Sequence, residues 1–261
     1  MDYQENIFRY KNILIKYYER GLGEPILFLQ GGGVSLNPYK KILVELSEKY
    51  HVIAPTLPFF YSLAVPKETW GFDEYGDFFS KFIKFLNLKE LSVIGHSLGG
   101  GVALNLASKN KEIKNLIVVD SAGKSCGLSE RRFRFNFLVK RNLYNLLHYG
   151  KPWQALKGAN EFFKIMIKNI TDWPHIEDTL RKCLFGDIGE LSKIKIPTLI
   201  LWGEKDELFS SSLAEIINKE IPTSILKFVK GNHEWCFFRQ NELVSLVDQW
   251  LEMKTLSVQK S

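Results

Sequence analysis

Apolar residues along this chain alternate between two textures, short nearly uninterrupted runs and longer stretches of helical period. The runs are Ile26-Leu27-Phe28-Leu29, Val52-Ile53-Ala54, Leu91-Ser92-Val93-Ile94, Leu116-Ile117-Val118-Val119, Thr198-Leu199-Ile200-Leu201-Trp202 and Ile225-Leu226-Lys227-Phe228-Val229. A strand that is apolar at almost every position is one covered on both faces. Between the runs, Tyr39 to Lys49 carries Ile42, Leu43 and Leu46, and Phe78, Phe79, Phe82, Ile83 and Leu86 make a wide apolar stripe with lysines between them. That spacing predicts helices that press one side onto a core. Ahead of the first run, Ile7-Phe8-Arg9-Tyr10 and Ile13-Leu14-Ile15-Lys16-Tyr17 flank Lys11-Asn12 and predict an antiparallel hairpin. Strand and helix repeated in turn give an α/β class, with parallel strands and helices on both faces.

The alternation breaks between Lys124 and Glu190, where no strand-like run occurs. The segment is helical in pattern, aromatic and basic, with Arg131-Arg132-Phe133-Arg134-Phe135-Asn136-Phe137-Leu138, Trp153, Phe162-Phe163, Met166 and Trp173. Inserted after one strand and before the next, it is expected to project over the carboxyl ends of the strands, where an open α/β sheet binds ligands. The expected organisation is therefore a core of 1–123 and 191–261 with a helical lid of 124–190.

Composition narrows this picture little. The chain has 261 residues, 45% hydrophobic and 25% charged, values of an ordinary globular protein. Five of its six net positive charges fall between Lys124 and Glu190, where twelve Lys or Arg stand against seven Asp or Glu. A basic stretch of this kind steers acidic ligands, anionic lipid or nucleic acid, or forms solvated helix faces. Cys126, Cys183 and Cys236 are widely spaced and odd in number, which suggests neither a disulfide framework nor a metal site. No apolar run approaches the roughly 18 residues of a membrane span, and Met1-Asp2-Tyr3-Gln4-Glu5 has acids where a secretory signal is basic and then apolar. A soluble cytoplasmic protein is expected, with no metal, no organic cofactor and no nucleic-acid partner.

The candidate chemistry sits at Gly95-His96-Ser97-Leu98-Gly99, between the run ending at Ile94 and the small-residue stretch Gly100-Gly101-Val102-Ala103-Leu104. Strand, sharp turn and helix in that order place one hydroxyl at an exposed apex. The first N–H groups of the helix point back at it, so the Leu98 amide is the expected donor to an oxyanion formed by Ser97 attack on a carbonyl. A serine hydroxyl needs a base within hydrogen-bond reach, oriented by a carboxylate. Asp206, in Trp202-Gly203-Glu204-Lys205-Asp206, and His233, in Gly231-Asn232-His233, follow Ser97 just beyond two strand ends. Asp120 and Glu204 are the alternative acids. In Gln30-Gly31-Gly32-Gly33-Val34, Gly32 is the preferred second oxyanion donor and Gly33 the alternative, with Gly31 and Gly33 also expected against substrate.

On these motifs the whole chain resembles the α/β-hydrolase-fold superfamily, in its lidded serine esterase, C–C hydrolase and haloperoxidase-like group. The resemblance implies a mostly parallel eight-stranded sheet, a helical cap and a triad of Ser97, Asp206 and His233. Two departures stand out. Gln30 occupies a position where the family commonly has His, and Ala54-Pro55-Thr56-Leu57-Pro58-Phe59-Phe60-Tyr61-Ser62 has Thr56 for an acid and Phe59 and Tyr61 for glycines. Phe59 and Trp153 are expected substrate contacts.

The expected function is hydrolysis of a small to medium hydrophobic ester or thioester through an acyl-enzyme on Ser97. C–C cleavage of a diketone-like substrate uses the same triad. A ligand-sensing receptor on the same fold, and a nucleic-acid or membrane-surface binder using Arg131-Arg132-Phe133-Arg134, are the readings from other classes.

Overall fold

The computed structural model describes residues 4–60, 66–125, 127–149, 167 and 172–258. Its centre is one eight-stranded sheet: β1 (Gln4–Tyr10), β2 (Ile13–Arg20), β3 (Pro25–Leu29), β4 (His51–Pro55), β5 (Leu91–His96), β6 (Ile113–Val119), β7 (Thr198–Gly203) and β8 (Ser224–Val229). Their order across the sheet is β1-β2-β4-β3-β5-β6-β7-β8. The hairpin β1–β2 is antiparallel and joins β4 antiparallel, and from β4 to β8 every pairing is parallel.

The apolar runs of β3 to β7 are explained by a core on each side of this sheet, whereas β8, at its edge, leaves Ile225 and Phe228 exposed. Leu27, Leu29, Val93, Leu116, Val118, Ile200 and Trp202 face one layer, where α2 (Phe72–Phe85) brings Phe78, Phe79 and Phe82 and α3 (Leu98–Lys109) brings Val102 and Leu106. The intervening residues Ile26, Phe28, Ile94, Ile117, Val119, Leu199 and Leu201 face the other, against Ile42, Leu43 and Leu46 of α1 (Lys40–Leu46). A terminal helix, Gln240–Val258, completes that second layer with Leu243, Val247, Trp250 and Leu251. Successive side chains point to opposite faces of a strand, so a strand between two cores has few places for a polar residue.

Three helices lie outside the sequence expectation: Ser211–Glu220 between β7 and β8, the single turn Trp235–Phe238, and the terminal helix. Between β6 and β7 the described residues include a nearly continuous helical run from α4 (Glu130–Phe135) through a π-helical turn (Asn136–Lys140) into α5 (Arg141–Tyr149), and a further helix over Trp173–Leu184. Trp153, Phe162, Phe163 and Met166 fall outside the described residues, as do Tyr61, Ser62 and Cys126. No helix among the described residues is long and apolar enough to cross a membrane.

Phe59 corrects the sequence expectation. Its side chain is wholly buried, with ring centroids 5.5 Å from Trp70 and 6.2 Å from Tyr75, and it does not reach the cavity beside Ser97. Its φ is +76°, so the left-handed conformation that suits glycine persists with phenylalanine in it. Such a residue costs about 1–3 kcal/mol, which burial of a large aromatic ring offsets.

Candidate active site

The turn between β5 and α3 forces Ser97 outward. Ser97 has φ +54° and ψ −119°, and the chain crosses so closely there that a Cβ on Gly95 would stand 2.4 Å from the Gly99 carbonyl oxygen. A Cβ on Gly99 would stand 2.3 Å from the carbonyls of Leu29 and Gln30. Both positions therefore require glycine. Ser97 itself is only half-buried and lines a cavity of about 350 Å³.

The loops after β7 and β8 bring two further side chains to it. Ser97 Oγ lies 3.1 Å from His233 Nε2, and His233 Nδ1 lies 2.8 Å from Asp206 Oδ2. The other Asp206 oxygen accepts the Leu208 and Phe209 N–H groups at 2.8 and 2.9 Å. With Nδ1–H donating to the carboxylate, Nε2 is left to accept the serine proton. Burial pushes the His233 pKa down, but the charge and hydrogen bond of Asp206, with Glu207 and Glu234 behind it, outweigh that and leave it raised above 6.5. The arrangement suits removal of a proton from Ser97 and its return to a leaving group.

The alternative acids take other places. Glu204 is exposed and makes no contact with His233 among those described. Asp120 follows β6 directly and is fully buried, and its Oδ1 accepts the Gly203 N–H at 2.7 Å.

A second set of hydrogen bonds ties the surrounding loops together. Gly31 N–H donates to Tyr39 Oη at 2.9 Å, Tyr39 Oη lies 2.6 Å from His96 Nδ1, and His96 Nε2 lies 3.3 Å from the His233 carbonyl oxygen. The directions are fixed by the ends: Tyr39 accepts from Gly31 and donates to Nδ1, so Nε2–H of His96 donates to His233. Burial holds the His96 pKa down to about 3 and pushes that of Tyr39 well up, so both stay neutral. His96 is thus a tie between loops. Tyr39 escaped the sequence reading because its partner His96 is 57 positions away in the chain and its tie to Gly31 forms only when the glycine loop folds back on it.

The glycine loop after β3 is closed by Gln30, whose buried Nε2–H donates to the Val34 carbonyl at 2.7 Å. Gly31, Gly32 and Gly33 all line the cavity. The Gly31 amide is engaged by Tyr39. Gly32 packs on Leu98 so tightly that a Cβ would stand 2.8 Å from Leu98 Cδ2. The first N–H groups of α3, Leu98 included, have no partner within the helix.

The far wall is apolar and comes largely from the helices between β6 and β7, through Phe133, Phe137, Leu138, Trp173, Leu180 and Phe185. Arg134, Arg141 and Arg181 also line it, each paired with a glutamate: Arg134 with Glu177, Arg141 with Glu234 at 3.2 Å, and Arg181 with Glu130 at 3.1 Å. Asn145 Nδ2 donates to Glu234 Oε2 at 2.5 Å, Asn232 Nδ2 donates to Asn145 Oδ1 at 2.9 Å, and Asn136 Nδ2 donates to the Glu207 carbonyl at 2.5 Å. The helical run Glu130–Tyr149 is thereby bonded to the loops that carry His233 and Asp206.

The fold and this arrangement define the class, and comparison with known proteins agrees. Residues 24–161 match the family model of the alpha/beta hydrolase fold. The chain is 30% identical to Lipase 1 of Psychrobacter immobilis over 79% of its own length and 70% of that protein's. It is 36% identical to the magnesium-chelatase 30 kDa subunit of Rhodobacter capsulatus over 88% of its length and 87% of that protein's. It is 27% identical to the 2-hydroxy-6-oxo-6-(2'-aminophenyl)hexa-2,4-dienoic acid hydrolase of Metapseudomonas resinovorans over 79% and 76% of the two lengths. The chain belongs to the alpha/beta hydrolase fold family and is a hydrolase.

Proposed function

We propose that the protein is a serine hydrolase that cleaves an uncharged, hydrophobic carboxylic ester or thioester through an acyl-enzyme on Ser97. The observation that carries this reading is the hydrogen-bonded series Ser97 Oγ, His233 and Asp206, at 3.1 and 2.8 Å, opening into an apolar cavity. Ser97 Oγ bonds to the acyl carbon while His233 Nε2 takes its proton, and Asp206 steadies the imidazolium so formed. The N–H groups of Leu98 and Gly32 receive the developing oxyanion. His233 then protonates the departing alcohol or thiol. Water attacks the acyl-enzyme by the same route, releasing the acid and restoring Ser97. Residues 124–190 serve as the lid that supplies the cavity's apolar wall.

The preference for an uncharged substrate rests on the arginines. Arg141 is the most enclosed of the three, and a substrate carboxylate reaching it would have to displace Glu234 and leave that part-buried acid without its partner, whereas the Arg134–Glu177 and Arg181–Glu130 pairs are exposed and contribute little. This favours an ester over an acidic diketone such as the dienoic acid in the third relative's name.

A fluorophosphonate probe tests the mechanism, and a substrate panel tests the class. The expected result is covalent labelling of the wild-type protein, absent in Ser97→Ala, with ester turnover reduced on the order of a millionfold in that variant. An unlabelled wild-type protein sinks the hydrolase mechanism. Faster turnover of a carboxylate-bearing diketone than of any neutral ester sinks the substrate class.

A further inference from the structure

Asp120 stands directly behind the series Ser97, His233, Asp206 and has no part in it. It is wholly buried and has φ +45°, a conformation that asparagine and aspartate tolerate better than most residues. Its Oδ1 pins the last residue of β7 through the Gly203 N–H, at the root of the loop that carries Asp206. Among the described residues its buried Oδ2 is in no hydrogen bond of good geometry, and the same holds for the buried Nε1–H of Trp235, a donor that acts on Asp120. An oxygen of Asp120, an oxygen of Asp206 and a ring nitrogen of His233 all lie within 4.8 Å of one another.

Two carboxylates so close, away from water, repel too strongly for both to be ionised. The groups that act on Asp120 are Asp206 and His233 from the two loops, Trp235 and Cys236 from the helix that follows His233, and Tyr39 from the turn ahead of α1. None of them is a fixed cation, and burial pushes the Tyr39 phenol and the Cys236 thiol well up, so both remain neutral. One acid must keep a proton, and the hydrogen bonds say which. Asp206 accepts from Leu208, Phe209 and His233, three donors that reward a negative charge, whereas Asp120 accepts one bond of good geometry, from Gly203, with the Trp235 indole N–H the other donor that acts on it. Burial first, and then the charge of Asp206, push the Asp120 carboxyl well above the usual carboxylate range.

We infer that Asp120 is a positioning residue, a neutral carboxylic acid whose O–H is directed at the Asp206 carboxylate and holds it in the plane from which it meets His233. The proton supplies the bond that Oδ2 otherwise lacks. It also draws charge from Asp206, so His233 is less basic than it would be beside an unassisted carboxylate. The arrangement is related to other sites in which two carboxyls are driven apart in pKa by their surroundings, but here the neutral member acts through its neighbour.

The inference about catalysis rests on the hydrolase reading, whereas the protonation state does not. Infrared difference spectroscopy of the whole protein at pH 7, wild type against Asp120→Asn, is expected to show the loss of a protonated-carboxyl C=O band. No such loss overturns the inference, whatever the fate of Ser97→Ala. Asparagine reproduces a neutral acid, with Nδ2–H in place of O–H, so Asp120→Asn is expected to keep kcat within about threefold of wild type and to leave the acidic limb of the kcat/KM profile in place. Glycine removes the side chain without straining the backbone. Asp120→Gly is expected to lower kcat about ten- to a hundredfold at little change in KM, and to move the acidic limb to higher pH as Asp206 regains full charge. A limb moved as far by asparagine as by glycine overturns the inference, as does a glycine variant with wild-type kcat. If the glycine variant does not fold, the infrared band and the asparagine profile decide.

Discussion

At Ser97, His233 and Asp206 the geometry converts directly into pH behaviour. On the proposed mechanism His233 must be neutral to take a proton, and its pKa is raised, so activity is expected to fall as pH drops through a value above 6.5. The acidic limb of kcat/KM is therefore expected above pH 6.5, and a limb well below it would contradict the assigned base. Asp206→Asn removes the charge that raises this pKa and also favours the wrong imidazole tautomer. Its expected cost is on the order of ten-thousandfold in kcat, against a few fold for Asp120→Asn, and the reverse ranking would reassign the acid. His96 belongs to the same scale. With its pKa near 3 it does not titrate where the enzyme works, so the profile has one histidine to report.

At the scale of elements, the site depends on ties between loops that are remote in the chain. Tyr39 joins the glycine loop after β3 to the turn at Ser97, and through His96 to the loop of His233. Tyr39→Phe keeps the ring, which packs edge-on against Phe28 at 5.0 Å, and removes only the hydroxyl. We expect it to lower kcat about tenfold with little change in KM or in thermal stability, because one buried amide and one imidazole lose their partner. A fall in stability with kcat unchanged would make the tie structural only. The strands were legible because every one of them had an apolar run or an alternating pattern to announce it. The motif at Ser97 was legible because the glycines that crowding requires are themselves the signal. The terminal helix was missed although Leu243, Val247, Trp250 and Leu251 recur at helical spacing. Tyr39 and Asn145 were hidden for a different reason: a tyrosine in a short helix and an asparagine in a longer one carry no mark of the buried partners that tertiary folding gives them.

For the whole molecule, two consequences follow from a sheet whose central strands are buried on both faces and a wall of paired charges. The second core layer depends on the terminal helix. Trp250→Ala should cost about 3–5 kcal/mol, read as a lower urea midpoint, and a loss under 1 kcal/mol would mean that the helix is not needed to close that layer. Charge pairing is testable through specificity. Glu234→Gln frees Arg141, whose guanidinium lies 4.0 Å over the Phe137 ring at the cavity wall, and should raise kcat/KM for a carboxylate-bearing ester about tenfold relative to its neutral analogue. An unchanged ratio would place the discrimination elsewhere.

Ser97 and His233 are separated by 136 positions along the chain. A ribosome delivers the serine long before its base, at a rate of roughly 5–20 residues each second, so for several seconds or more the emerging polypeptide holds a hydroxyl with nothing to activate it. Competence arrives only when the last strand is added to the edge of the sheet and the segment beyond it folds back. Translation products that stop short of His233 are therefore expected to be chemically inert under the proposed mechanism.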